Sequence, residues 1–168
     1  MNSHADLIAS LVAAWASPGM ALRGFAAHAG ALALAYLLAL PAGWNRERRE
    51  RSAGLRTFPL VAVAACGFVL IGTAAAGTGA AQARVIQGLL MGIGFIGAGA
   101  IIKGTHQTHG TATAASLWAT GALGAAVGYG LFGIALLLSL VTFATLRFTT
   151  GFKERETPPP QARAARRE

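Results

Sequence analysis

Between residues 104 and 146 the chain carries no Asp, Glu, Lys or Arg, and residues 24–43, 57–83 and 85–102 are equally free of charge. Crossing a hydrocarbon core takes roughly 17–25 apolar residues, so each stretch is long enough to span a bilayer and that at 104–146 is long enough to do so twice. Apolar residues make up 54% of the 168 and charged ones 12%, about half the roughly 25% of an ordinary soluble domain. The charges that exist are pushed into the links and the tail. These facts exclude a soluble domain and predict an all-α polytopic transmembrane bundle.

The net charge of +8 could indicate nucleic acid. A nucleic-acid surface needs Lys and Arg gathered on a folded face, whereas here they flank apolar runs, so no nucleic-acid partner is expected. The lipid bilayer is the partner that this distribution fits. Cys66, the single cysteine, excludes an internal disulfide and reads as a small buried hydrophobe. The N-terminus holds Asp6 and no basic run, so no cleavable signal is expected.

Residues 5–16 read as a short apolar helix, too short to span, ended by Ser17-Pro18-Gly19, and residues 1–23 as an interfacial segment. Spans are expected at about 24–44, 58–77, 85–102, 112–128 and 131–146, within a transmembrane domain of 24–147. A basic loop at 45–56, a polar loop at 103–110 and a tight Tyr129-Gly130 turn separate them, and a charged tail at 148–168 reads as disordered. Five spans put Arg46, Arg48, Arg49, Arg51, Arg56, Lys103, Arg147, Lys153, Arg155, Arg163, Arg166 and Arg167 on one side and only Arg23 and Arg84 on the other. By the positive-inside rule the N-terminus is outside and the C-terminus cytoplasmic. A four-span arrangement needs one run to be re-entrant, and the short, Gly- and Ala-rich fourth run is the candidate.

Glycine positions predict how the bundle packs. On the third span Gly88, Gly92 and Gly99 fall within about 40° of one another, while Gly94 and Gly97 point the opposite way. Small residues let helices approach closely in lipid, so this span is expected to be flanked on both sides. Gly121, Gly124 and Gly128 repeat the device on the fourth, and these two helices are expected at the centre. Gly92 to Gly97 also match GxGxxG. A dinucleotide site requires a strand before that motif and an acid about 20 residues after it, and no acid occurs between Glu50 and Glu154. Helix packing is the better account.

Thr113, Ser116 and Thr120 share one face of the fourth span, where hydroxyls can line a polar path, bond a neighbouring helix, or bond back to their own carbonyls. Gln87, near Gly94 in azimuth, is a candidate partner for that face. His106 and His109 lack the third and fourth ligands that a metal usually needs and read as loop residues. His28 lies about one turn into the first span, where an ionisable group either acts or reaches the headgroups. None of the six acids falls in a span. Magnesium prefers oxygen ligands that include carboxylates, and proton-coupled carriers usually place Asp, Glu or His in the membrane. A coupled cation transporter is therefore disfavoured, while conduction along backbone carbonyls stays open. No nucleophile–base or metal-hydrolase arrangement is present, so neither an enzyme nor a cofactor is expected.

Asn45-Arg-Glu-Arg-Arg49 with Ala53-Gly-Leu-Arg-Thr57, Arg84-Val-Ile-Gln-Gly88 leading to Gly92-Ile-Gly-Phe-Ile-Gly-Ala-Gly99, and Gly110-Thr-Ala-Thr-Ala-Ala-Ser-Leu-Trp118 occur in that order. Together they resemble the membrane domain of the MgtC/SapB family over about residues 24–146. The resemblance implies an inner-membrane bundle of four or five spans, linked to growth at low magnesium and, in some members, to survival inside host cells. It implies action on other membrane machinery, the proton-driven ATP synthase included, with Mg2+ transport as the rival reading and a purely structural homo-oligomer as a third. Family positions carried over are Glu47, Arg56, Arg84, Gln87, Thr113, Ser116 and Trp118. Two departures stand out: Ala81-Gln82-Ala83 precede Arg84 where many relatives have an acid, and the soluble C-terminal domain of longer relatives is not expected here.

Overall fold

The computed structural model describes residues 18–49, 53–75, 79–103 and 108–155. Among these residues five helices form the bundle: α1 (Pro18–Arg49), α2 (Thr57–Ala75), α3 (Gly79–Gly99), α4 (Thr111–Gly128) and α5 (Phe132–Arg155). Two-residue strands β1 (Ile102–Lys103) and β2 (Thr108–His109) pair antiparallel, Ile102 opposite His109, and close a hairpin between α3 and α4. The segments 1–17 and 156–168, with the expected interfacial helix and most of the expected tail, lie outside the described residues, as does His106.

Three stretches, Leu22–Arg48, Thr57–Ala75 and Gly79–Gly99, are long and apolar enough to cross a membrane unaided, and Phe132–Phe148 is a shorter apolar run. α4 is the fifth element. At 1.5 Å per residue its 18 residues span about 27 Å, close to the hydrocarbon thickness. Its first turn meets the end of α1, and its Gly128 lies against Cys66 and Val69 of α2. It therefore runs alongside α2 from the end of α1 to the Tyr129-Gly130 turn.

Two helices run past their expected ends. α1 continues through Pro41, where the helix forgoes one backbone hydrogen bond, and through Asn45–Arg49. The expected loop at 45–56 is thus helical in its first part, because Arg and Glu are good helix formers and cations suit a helix C-terminus. α5 likewise continues to Arg155, into the stretch expected to be tail.

The core has two parts. Ala35 and Ala39 of α1, Ala62 and Cys66 of α2, Leu123, Ala126 and Val127 of α4, and Ala135 of α5 pack together in one. Ala42, Ala53, Phe58, Leu117 and Leu146 form the other, with Ala100 against it. The second cluster gathers the ends of α1, α3 and α5 and the starts of α2 and α4, so the basic links converge on one end of the bundle. The opposite end is closed by the Tyr129-Gly130 turn, where Gly130 takes φ +74 and Leu131 N–H donates to Ala126 O at 2.8 Å.

α4 is the central helix, in contact with all four others. α3 is not central, contrary to the sequence expectation. It leans on α2 and α4 and buries only Ile93 and Gly97. Its glycines divide accordingly. Gly97 lies against Ala114 and Gly94 against Trp118, whereas a Cβ at Gly88, Gly92 or Gly99 would meet nothing within 4 Å. Two glycine faces do not require two flanking helices within one chain. The glycines of α4 do mark close approaches: a Cβ at Gly124 would overlap the carbonyl of Ala62, and one at Gly121 would overlap the side chain of Ile93.

Candidate functional site

The polar side chains of the bundle collect at its basic end. Continuation of α1 to Arg49 turns Asn45 and Arg46 inward, 7% and 3% exposed, and leaves Trp44, Glu47 and Arg48 outside. Arg46 Nη2 donates to Thr113 Oγ1 in the first turn of α4, and Thr113 is fully buried. Asn45 Oδ1 is buried with no hydrogen-bond partner among the described residues. The Arg46–Thr113 bond ties the last turn of α1 to the head of the central helix.

The remaining hydroxyls of that face resolve the alternatives left by sequence. Ser116 Oγ donates to Thr113 O at 2.9 Å and Thr120 Oγ1 to Ser116 O at 2.8 Å. Both bond back to their own helix, as buried Ser and Thr do when no other acceptor is near. They do not reach Gln87, which stays exposed on α3. A further inter-helix bond, unexpected from sequence, runs from Ser139 Oγ of α5 to Leu38 O of α1 at 2.7 Å.

Glu47 has a defined structural task. Its Oε2 accepts from Leu55 N–H at 3.0 Å, in the turn that opens α2. The same turn is closed by Thr57 and Phe58 N–H groups donating to Gly54 O. Gly54 admits the carboxylate, since a Cβ there would overlap Glu47 Oε2. Glu47 thus ties the end of α1 to the start of α2. One turn earlier Trp44 faces outward and carries the Arg48 guanidinium 5.0 Å above its ring, as suits an aromatic at the membrane interface.

Arg56 and Arg84 do not join this cluster. Both are exposed, and they stand toward opposite ends of a groove of about 860 Å³ between α2 and α3. Trp118 is half-exposed beside Gly94. His28 is exposed on α1. The carried-over positions therefore fall into three places: Glu47, Thr113 and Ser116 at the basic end, Arg56 and Arg84 on the groove, and Gln87 with Trp118 on the outer side of α3 and α4.

A polytopic helical bundle, apolar outside and bound at one end by an arginine buried between its first and fourth helices, defines a multi-pass membrane protein. The chain belongs to the MgtC family, whose model matches residues 32–155. It is 40% identical over 135 residues to the protein SrpB of Synechococcus elongatus, covering 73% of this chain and 72% of SrpB. It is 39% identical over 125 residues to the protein MgtC of Brucella abortus and 36% identical over 110 residues to that of Salmonella typhimurium. Those matches cover 74% and 66% of this chain but only 52% and 47% of the two MgtC proteins, so the chain spans about half their length. No solved structure matches it significantly.

Proposed function

We propose that the chain is a non-enzymatic inner-membrane protein that supports magnesium and ion homeostasis by modulating a membrane partner, not by carrying the cation itself. The observation that carries this reading is the polar face of the central helix, where the Ser116 and Thr120 hydroxyls bond back to their own backbone. A cation path along α4 would have to follow that face. It offers no carboxylate, since no acid occurs between Glu50 and Glu154. Magnesium binding favours octahedral oxygen ligation that usually includes carboxylates.

The partner's side is the outward face of α3. Met91 and Phe95 are 70% and 82% exposed there, with Gln87 one turn above them. An amide on an otherwise apolar helix gives a partner helix a hydrogen-bonding handle. The test is growth of a deletion strain across a magnesium titration, complemented by wild type or by Gln87→Leu, with a photo-cross-linking residue at Phe95 to capture the neighbour. Rescue by wild type alone, with a captured membrane protein, supports the reading. Cation uptake by proteoliposomes holding only this protein would overturn it in favour of a transporter.

A further inference from the structure

A groove lies between α2 and α3 that no task described so far uses. The two helices touch at Gly72 and Val85, where a Cβ on Gly72 would come within 2.6 Å of the valine. Both then rest on α4, with Ala62 of α2 against Gly124 and Ile93 of α3 against Gly121. Between the touching ends and Arg56 they leave the groove open, and its volume of about 860 Å³ falls within the range of about 300–1,000 Å³ of sites that enclose small molecules. Leu60 and Phe68 form one wall and Ile96 closes the other, all well exposed. Gly88 and Gly92 keep the α3 wall low, because neither position has any neighbour within reach of a Cβ.

Charge decides what belongs there. The groove's described lining has a guanidinium toward each end and no acid. A second copy of the chain would bring Glu47 near the depth of Arg56 only with its Oε2 already engaged by Leu55 N–H. An anionic phospholipid supplies what is missing: a phosphate for the guanidinium and apolar chains for the walls. At the Arg56 end Thr57 also lines the groove, at the N-terminal, positive end of α2. This is also the end on which the basic links converge, where anionic headgroups concentrate around Lys and Arg.

We propose that the α2–α3 groove holds an anionic two-chain phospholipid, its phosphate on Arg56 and Thr57 and its acyl chains between the Leu60–Phe68 wall and Ile96. Arg84 stands at the far end and takes no part in holding this headgroup. The lipid fills the space that would otherwise leave α3 attached to the bundle along one side only. The proposal is independent of the partner on the outer face of α3, which involves Gln87, Met91 and Phe95 and not the groove.

Native mass spectrometry of the full chain, offered phosphatidylglycerol and phosphatidylcholine at equal concentration, tests it. Charge-assisted bonds to phosphate should make wild type retain phosphatidylglycerol about tenfold over phosphatidylcholine. Arg56→Ala should lose that preference and Arg84→Ala should keep it. Gly92→Leu, whose Cβ meets open space, should shed both lipids while its circular dichroism and melting stay as in wild type. Equal retention of the two lipids by wild type would overturn the proposal. So would a preference that survives Arg56→Ala, one lost in Arg84→Ala, or unchanged lipid retention in Gly92→Leu. A disulfide-linked dimer formed through Leu60→Cys in a Cys66→Ala background would give the groove to a second copy and overturn it equally.

Discussion

Arg46 and Thr113 lie 67 positions apart in the chain, yet the guanidinium of one donates to the hydroxyl of the other in the buried end of the bundle. The bond joins the last turn of α1 to the first turn of the helix that every other helix touches. Breaking it removes a buried hydrogen bond from a charged group, and such bonds contribute about 1.5–3 kcal/mol. We therefore expect Thr113→Val to lose stability on that scale in a detergent melt, while Thr113→Ser, which keeps the hydroxyl, loses less. Adding Arg46→Met to Thr113→Val should cost less than the two single substitutions summed, because both remove the same bond. Strict additivity of the two substitutions would show that the bond does not couple the helices.

The Glu47 carboxylate caps the turn before α2, which predicts a graded response. Glu47→Gln keeps an acceptor for Leu55 N–H and should stay close to wild type. Glu47→Ala should cost about 0.5–2 kcal/mol, the usual cost of losing a helix cap. A growth phenotype for Glu47→Gln in the presence of normal melting would mean that the charge itself acts, beyond its part in the turn.

Much of this fold is legible in the order of the residues. Charge-free runs mark the helices and their number, the Tyr129-Gly130 turn falls where expected, and the glycines of α4 mark real approaches. The buried arginine escapes such reasoning because a run of charges reads as a loop. A signal is present all the same: Ala35, Ala39 and Ala42 form a buried stripe at helical spacing, and Arg46 is its next member. The central place expected of α3 fails for another reason. Glycine periodicity reports that a backbone can be approached, not that this chain supplies what approaches it. The groove is invisible for the same reason, since it depends on how α2 and α3 lean on α4 and not on either sequence alone.

Glycines on the two helices should respond differently to a methyl group. Gly124→Ala places a Cβ into the carbonyl of Ala62, and overpacking of this kind costs about 1–3 kcal/mol. Gly88→Ala meets open space and gains about 0.5–1 kcal/mol of helix preference. Melting temperatures of the purified variants should thus move in opposite directions. A loss at Gly88 as large as that at Gly124 would reveal a neighbour packed on α3 in the purified protein.

The convergence of the basic links on one end predicts the membrane orientation. With twelve of the fourteen Lys and Arg residues expected on that side, the positive-inside rule predicts that it faces the cytoplasm. Cysteine labelling in a Cys66→Ala background tests this directly, with a membrane-impermeant maleimide on whole spheroplasts. Leu131→Cys, beside the turn that joins α4 to α5, should label in intact spheroplasts. Arg56→Cys, at the start of α2, should label only after the membrane is broken. Labelling of both from outside would return α4 to a re-entrant course and separate the two ends of the bundle that the Arg46–Thr113 bond and the Val69–Gly128 contact now define.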